Sequence, residues 1–150
     1  MLFRNCAGGV VFYGEKVFLL KNDKGECILP KGVVRGNALQ QDVAIARVEA
    51  ETGVEAEIME AVGETNYEFY SVTRRTPVNN RVMWYTMQAA DENYRIAFEQ
   101  GFADGGWYPG EEALGMVTYT QEQSLVRLAY EKYKAMLAEK ALCDVRRPLW

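Results

Sequence analysis

The chain has 150 residues, 49% of them hydrophobic and 25% charged, with a formal net charge of −4, which fits one globular domain with a sizeable core. The acidic balance argues against a binder of nucleic acid polymers, and no apolar run approaches the about 20 residues of a membrane span. Histidine is absent, which removes Ser-His-Asp, Cys-His and His-metal chemistry.

Residues 4–13 read as a first strand. Its Gly8-Gly9 pair lacks the Lys-Ser/Thr that would make a phosphate-cradling loop. Gly14-Glu15-Lys16 marks a turn, and residues 17–20 form a second strand, read from a continuous apolar run. Asn22-Asp23-Lys24-Gly25 turns the chain back into residues 26–29. Lys31-Gly32 turns out of that extended run, and a polar loop passes through Arg35-Gly36-Asn37. A helix is then expected from about Ala38 to Thr52, with Gly53 as its stop.

Residues 54–69 are β-like, with Gly63 as a bend or bulge. Tyr67, Phe69 and Tyr70 suit either packing within a strand or stacking on a base. Residues 73–80, with Pro77 and Asn79-Asn80, read as a loop that puts Arg74, Arg75 and Arg81 close together, as partners for phosphate oxygens or as plain surface charge. Residues 81–88 and 105–108 read as strands and 111–115 as a brief helix. The last helix spans 120 to about 142. Thr120 with Gln123 is expected to form a capping box, and Leu125, Leu128, Ala129, Tyr133, Met136 and Leu137 an apolar face. Residues 1–142 thus form a single expected domain, followed by an unassigned tail, 143–150, containing Arg146-Arg147-Pro148. Cys6, Cys27 and Cys143 are odd in number, far apart and without a CxxC pair, so no disulfide framework or zinc knuckle is expected. No basic-then-apolar leader is present, and the expected location is cytoplasmic.

Residues 29–54, LPKGVVRGNALQQDVAIARVEAETGV, carry the most specific pattern. Their spacing resembles the Nudix box, G-x5-E-x7-R-E-U-x-E-E-x-G-U with U a bulky aliphatic. Gly32, Val48, Glu51, Gly53 and Val54 match. Ala38 stands at the first Glu, Ala46-Arg47 at the Arg-Glu pair, and Ala50 at the first of the paired glutamates. The scaffold positions remain and most of the acidic ones do not. The resemblance implies an α/β fold (α+β), the Nudix-type α/β/α sandwich with a mixed β-sheet.

On a helical wheel Val43, Arg47, Ala50 and Glu51 share one side, and Gln41, Ala44, Ile45 and Val48 face the core. The family's chemistry uses several glutamates to hold Mg2+ or Mn2+. Loss of even the groups that support metal ligands costs about 10–100-fold, so the expectation is a diphosphate or nucleotide-type small-molecule ligand with hydrolysis weakened or lost. For any remaining hydrolysis the resemblance implies Mg2+ or Mn2+, with Glu51 and Asp104 as catalytic acids and Glu51 and Glu99 as metal ligands. Lys31, Arg35, Arg47, Arg74, Arg75 and Arg81 are the candidate ligand-binding cations. The alternative is a regulatory module that binds an anion through Arg47 without metal; under either reading the expected state is a monomer or homodimer.

Overall fold

The computed structural model describes residues 1–145; the Arg146-Arg147-Pro148 segment lies outside them. β1 (Leu2–Tyr13) is buried from Cys6 to Phe12, as a strand covered on both faces must be. A tight turn, with Gly14 at φ +59°, leads into β2 (Lys16–Asn22). The two strands pair only at Phe12–Val17 and Tyr13–Lys16 and then part.

The fork between them is filled by the next piece of chain. β3 (Cys27–Ile28) pairs with β2 and β4 (Lys31–Val33) with β1. Between them the Gly9 N–H donates to the Pro30 carbonyl at 3.1 Å. Gly8 permits this approach, because a Cβ there would lie 2.5 Å from the Pro30 oxygen and 2.6 Å from Trp84 Cζ3. Lys31-Gly32 is therefore strand rather than the expected turn: the backbone of β1 needs partners once β2 has left it.

α1 (Gln40–Thr52) follows and ends at Gly53, which takes the left-handed conformation at φ +70°. Its last carbonyls are met by a later loop, Arg95 N–H to Thr52 at 2.7 Å and Ala97 N–H to Glu51 at 3.1 Å. β5 (Ala56–Ser71) and β6 (Thr76–Ala89) form a long hairpin, with a register shift between Ala61 and Gly63 that bears out the expected bulge. β7 (Phe102–Pro109) pairs with β2, and α2 (Gly110–Met116) leads to α3 (Thr120–Val145).

The sheet runs β3-β2-β1-β6-β5, with β4 added to β1 and β7 to β2. β1 and β6 are parallel and the other pairs antiparallel. One face packs on α1 through Ala7, Val11, Phe18, Ala44, Val48 and Met87. The other packs on α2 and α3 through Phe12, Trp84, Val126, Ala129 and Tyr133, with the Phe12 and Tyr133 rings stacked 4.5 Å apart. This is the mixed-sheet α/β/α sandwich expected from the sequence.

Four local expectations are corrected. The loop expected over 73–80 is only Val72–Arg75, because β6 starts at Thr76. Asn79 and Asn80 are buried strand residues whose amides are satisfied by Glu68, Arg4 and Tyr67. Gln41, expected on the core side of α1, is exposed. The capping box does not form: the Gln123 N–H goes to the Tyr119 carbonyl and its side chain donates to the Val117 carbonyl. Leu128, placed on the apolar face, is 42% exposed, and Val126 and Tyr130 are buried instead.

Gly8→Ala is expected to destabilise the fold by about 1–3 kcal/mol through overpacking at the fork. Gly115→Ala, where nothing lies within 4 Å of the added Cβ, should be neutral or slightly stabilising. Urea unfolding of the two variants checks the contrast; equal stability of both would remove the fork from this account.

Candidate functional site

The fork sets β4 directly over α1. Gly32 faces the helix, and a Cβ there would overlap the Cγ and Cδ of Arg47. The aliphatic stem of Arg47 lies across that glycine. Its Nη2 reaches Glu51 Oε2 at 3.5 Å and donates to Gln100 Oε1 at 3.0 Å. Gln100 also donates to the Ala50 carbonyl at 3.5 Å. Arg47 is thereby held at both ends, on the helix face where the box pattern gathers carboxylates.

Glu51 is only 4% exposed. Burial pushes its carboxyl up to about 7, against the pull of the Arg47 charge, the Lys31 charge and the Lys31 backbone N–H. The ion pair does not complete the local hydrogen bonding: Arg47 Nε and Glu51 Oε2 are both buried without a hydrogen-bond partner. Desolvation outweighs the combined attraction of these groups, as it does for a carboxylate withdrawn from water with its hydrogen bonding incomplete.

Lys31 points to the opposite side of β4 from Gly32, with Nζ 6.0 Å from the centre of the Tyr67 ring. Tyr67 stacks on Phe69 at 6.1 Å, and Arg4 lies 5.5 Å over Phe69. Asn80 joins the group, accepting from Arg4 Nε and donating to the Tyr67 hydroxyl, both at 2.9 Å. Tyr67 and Phe69 are each 40% exposed, so the stacked pair reaches the surface with a cation over each ring. On the same side Glu26 accepts a short hydrogen bond from the Tyr119 hydroxyl, which holds the Glu26 carboxyl below its ordinary value. Burial pushes the neighbouring Glu122 carboxyl up, opposed by the Lys31 charge and the Leu29 N–H.

The other expected site residues are dispersed. Arg35 is exposed in the loop before α1, Arg81 is exposed on β6, and Asp104 is exposed on β7 opposite Lys21. Glu99 lines a cavity of about 230 Å³ with Glu49, Ala50, Gly53 and Arg95, at the C-terminal end of α1. Arg74 and Arg75 occupy the hairpin tip. Trp84 is level with Gly8 and so with Lys31, and it stands nine positions along the chain from Arg75, about 30 Å of strand. Lys31, Arg47 and Glu51 come together around β4; Arg74 and Arg75 do not join them. Arg4 and Asn80 were not visible as partners in the sequence, because parallel pairing of β1 with β6 joins residues 76 positions apart.

No protein-family model matches the sequence. MutT4 of Mycobacterium tuberculosis is 29% identical over 108 residues, which is 69% of this chain and 40% of that protein, so the chain spans well under two thirds of that relative. A NUDIX hydrolase from Nitrosomonas europaea superposes with a TM-score of 0.69 at 15% identity, over 88% of this chain and 72% of that one. An Ap4A hydrolase from C. elegans superposes with a TM-score of 0.63 at 19% identity, over 91% and 98%. The chain has the Nudix fold.

Nudix relatives generally use divalent metals such as Mg2+. Among the described residues no three Asp, Glu or Cys side chains gather closely enough to hold a metal ion. At the box face the donor set is one buried carboxylate beside a guanidinium, whereas Mg2+ takes about six oxygen ligands in octahedral geometry. The residues present do not fit the ion.

The Glu51 carboxyl titrates higher in the folded chain than its ordinary 4.5. Its contribution to stability is therefore full below about pH 4.5, falls as pH rises toward about 7 and is level above that. Glu51→Gln should gain stability relative to the parent at pH 8 compared with pH 4.5, by at most ~3 kcal/mol. Urea unfolding at the two pH values measures the difference; an equal effect at both would show that Glu51 titrates normally.

Proposed function

We propose that this Nudix-fold domain binds a diphosphate-linked, nucleotide-type small molecule, with metal-dependent hydrolysis weakened or lost. The observation that carries the reading is Arg47, seated across Gly32 and paired with Glu51 on the face that would have to gather carboxylates around a metal. Each tenfold loss of rate corresponds to about 1.4 kcal/mol of barrier, and a face with one carboxylate where several are needed forgoes much of the charge stabilisation that a metal supplies.

Support for the ligand class comes from the other side of β4. Lys31 offers an ammonium to a phosphate oxygen, and the partly exposed aromatic pair Tyr67 and Phe69 offers rings beside which a planar base could pack. Arg4, already over Phe69, adds positive charge at the outer border. The C. elegans neighbour is named an Ap4A hydrolase, which points to the same ligand class by analogy of fold. Direct anion binding by Arg47 without metal has less support, because its Nη2 is already engaged by Glu51 and Gln100.

Thermal shift against dinucleoside polyphosphates, ADP-sugars and nucleoside triphosphates, in EDTA, should give a rise in Tm for at least one class. Lys31→Ala and Tyr67→Ala should each weaken that ligand about tenfold. Turnover with Mg2+ or Mn2+ at alkaline pH should be slow or absent in the parent and rise when Arg47→Glu and Ala50→Glu are combined. Parent turnover that the double substitution does not raise and that Glu51→Gln abolishes would replace this reading with that of a working metal enzyme. A flat Tm across the panel would end the ligand proposal.

A further inference from the structure

Arg74 and Arg75 take no part in the site around β4. They stand at the end of a ribbon that the described residues leave uncovered. β5 and β6 run past the start of β1: Leu2 is level with Val78 and so with Phe69, and the pairs Tyr70–Pro77 and Ser71–Thr76 lie beyond them. From Asn66 to Arg75 every residue but Ser71 is exposed. Both faces of this end are therefore in water, where a two-stranded hairpin is marginally stable. The turn is shaped nonetheless. The Arg74 N–H donates to Ser71 Oγ at 3.2 Å, and Arg75 holds φ +54°, a left-handed conformation that glycine would take with less strain. The chain has a cation there instead.

The same end carries apolar side chains. Tyr70 is 61% exposed and Val72 82%, and among the described residues no large apolar side chain is more open than Val72. Charge of one sign is collected around them. Residues 2–14 and 69–90, which supply β1, β6 and the tip of the hairpin, hold four of the chain's 17 cations and none of its 21 acids. The nearest acid along the strand is Glu68, four residues before Val72 and about 13 Å away. That is beyond the about 8–10 Å over which a surface charge is felt at ordinary salt, and Glu68 accepts a hydrogen bond from Asn79. The ion pairs of the described residues, Lys16–Glu92, Arg47–Glu51 and Lys134–Glu111, leave both tip arginines out.

We propose that the tip of the β5–β6 hairpin docks end-on on bilayers whose surface carries anionic phospholipid headgroups. Val72 and Tyr70 enter the interface between headgroups and acyl chains, and Arg74 and Arg75 meet the phosphates. Tyrosine suits that boundary because one end of it is apolar and the other wet. A nucleic acid strand would call for a longer track of cations and would leave Val72 in water, whereas a bilayer buries it. The attachment is weak and reversible, since it rests on two cations and two side chains, and it turns the acidic remainder of the domain away from the membrane.

Co-sedimentation of the full chain with vesicles tests this. Vesicles of phosphatidylcholine containing phosphatidylserine should carry the protein down, and vesicles of phosphatidylcholine alone should not. Raised salt should weaken the binding. Combined Arg74→Glu and Arg75→Glu and, separately, Val72→Glu should each lower the partition coefficient at least about tenfold, with the fold of these exposed variants kept by circular dichroism. The emission of Val72→Trp should move to shorter wavelength when the phosphatidylserine vesicles are added. Inorganic phosphate at matched ionic strength should displace nothing; displacement by it would make the tip a site for a free anion and overturn the proposal. Equal partitioning into both kinds of vesicle, binding that the tip substitutions leave unchanged, or an emission that does not move on bound protein overturns it as well. So does binding to single-stranded RNA that the same substitutions abolish, without binding to vesicles.

Discussion

Two strands that part after two residue pairs set the terms for everything else in this domain. Once β2 leaves β1, both lose backbone partners in a part of the sheet that is buried, where an unmet N–H or carbonyl costs about 1–3 kcal/mol. The chain from Cys27 to Val33 meets both debts, pairing β3 with one arm and β4 with the other. Gly8 and Gly9 make the insertion possible, since Cβ atoms there would meet Pro30, Trp84, Met87 and Val48 at about 3 Å or less. The box helix hangs from this wedge, and its position relative to Lys31 is fixed by three residues of strand.

The same wedge explains the electrostatics. With β4 pressed on α1, Glu51 is removed from water, and its charge must be met from within. A divalent ion would answer that need in a site with several oxygens. Here the answer is a guanidinium laid over Gly32, and it is incomplete: the Arg47 Nε and Glu51 Oε2 atoms remain without hydrogen bonds, and the carboxyl is left with a raised affinity for protons. The opposite side of β4 has a different character, with Lys31 over one of a pair of partly exposed rings and two further carboxylates, Glu26 and Glu122, whose proton affinities are moved in opposite directions by a tyrosine hydroxyl and by burial.

Local signals were legible in the sequence and long-range ones were not. Gly53 announced the end of α1 because a left-handed helix stop has few alternatives to glycine, and Gly63 announced a bulge for a related reason. The spacing from Gly32 to Val54 carried the fold. Asn79 and Asn80 misled, since they carry turn chemistry in isolation, and only their distant partners Glu68, Arg4 and Tyr67 allow them inside a strand. The helical wheel grouped Arg47 with Glu51, as the structure does, but it could not tell that this face is covered by β4 and Gln100. The separation of Arg75 from Lys31 depends on how far the β5–β6 hairpin runs, which the loop signals at 77–80 concealed.

The parallel pairing of β1 with β6 also bears on how the chain is made. Leu2 lies beside Val78 and Phe12 beside Gln88, so the central pair of the sheet closes a loop of 76 residues. Contacts this far apart in sequence carry the entropy of loop closure before they return any stability. While the chain is being synthesised, β1 has β2 and the wedge for company on one edge and nothing on the other until β6 has emerged. Its run Val10-Val11-Phe12, fully buried at the end, waits for its β6 partners Thr86 to Gln88 to be made. The strand at the centre of the finished sheet precedes its β6 partner by this whole stretch of synthesis, and its exposure in that interval is where chaperones would have most to do.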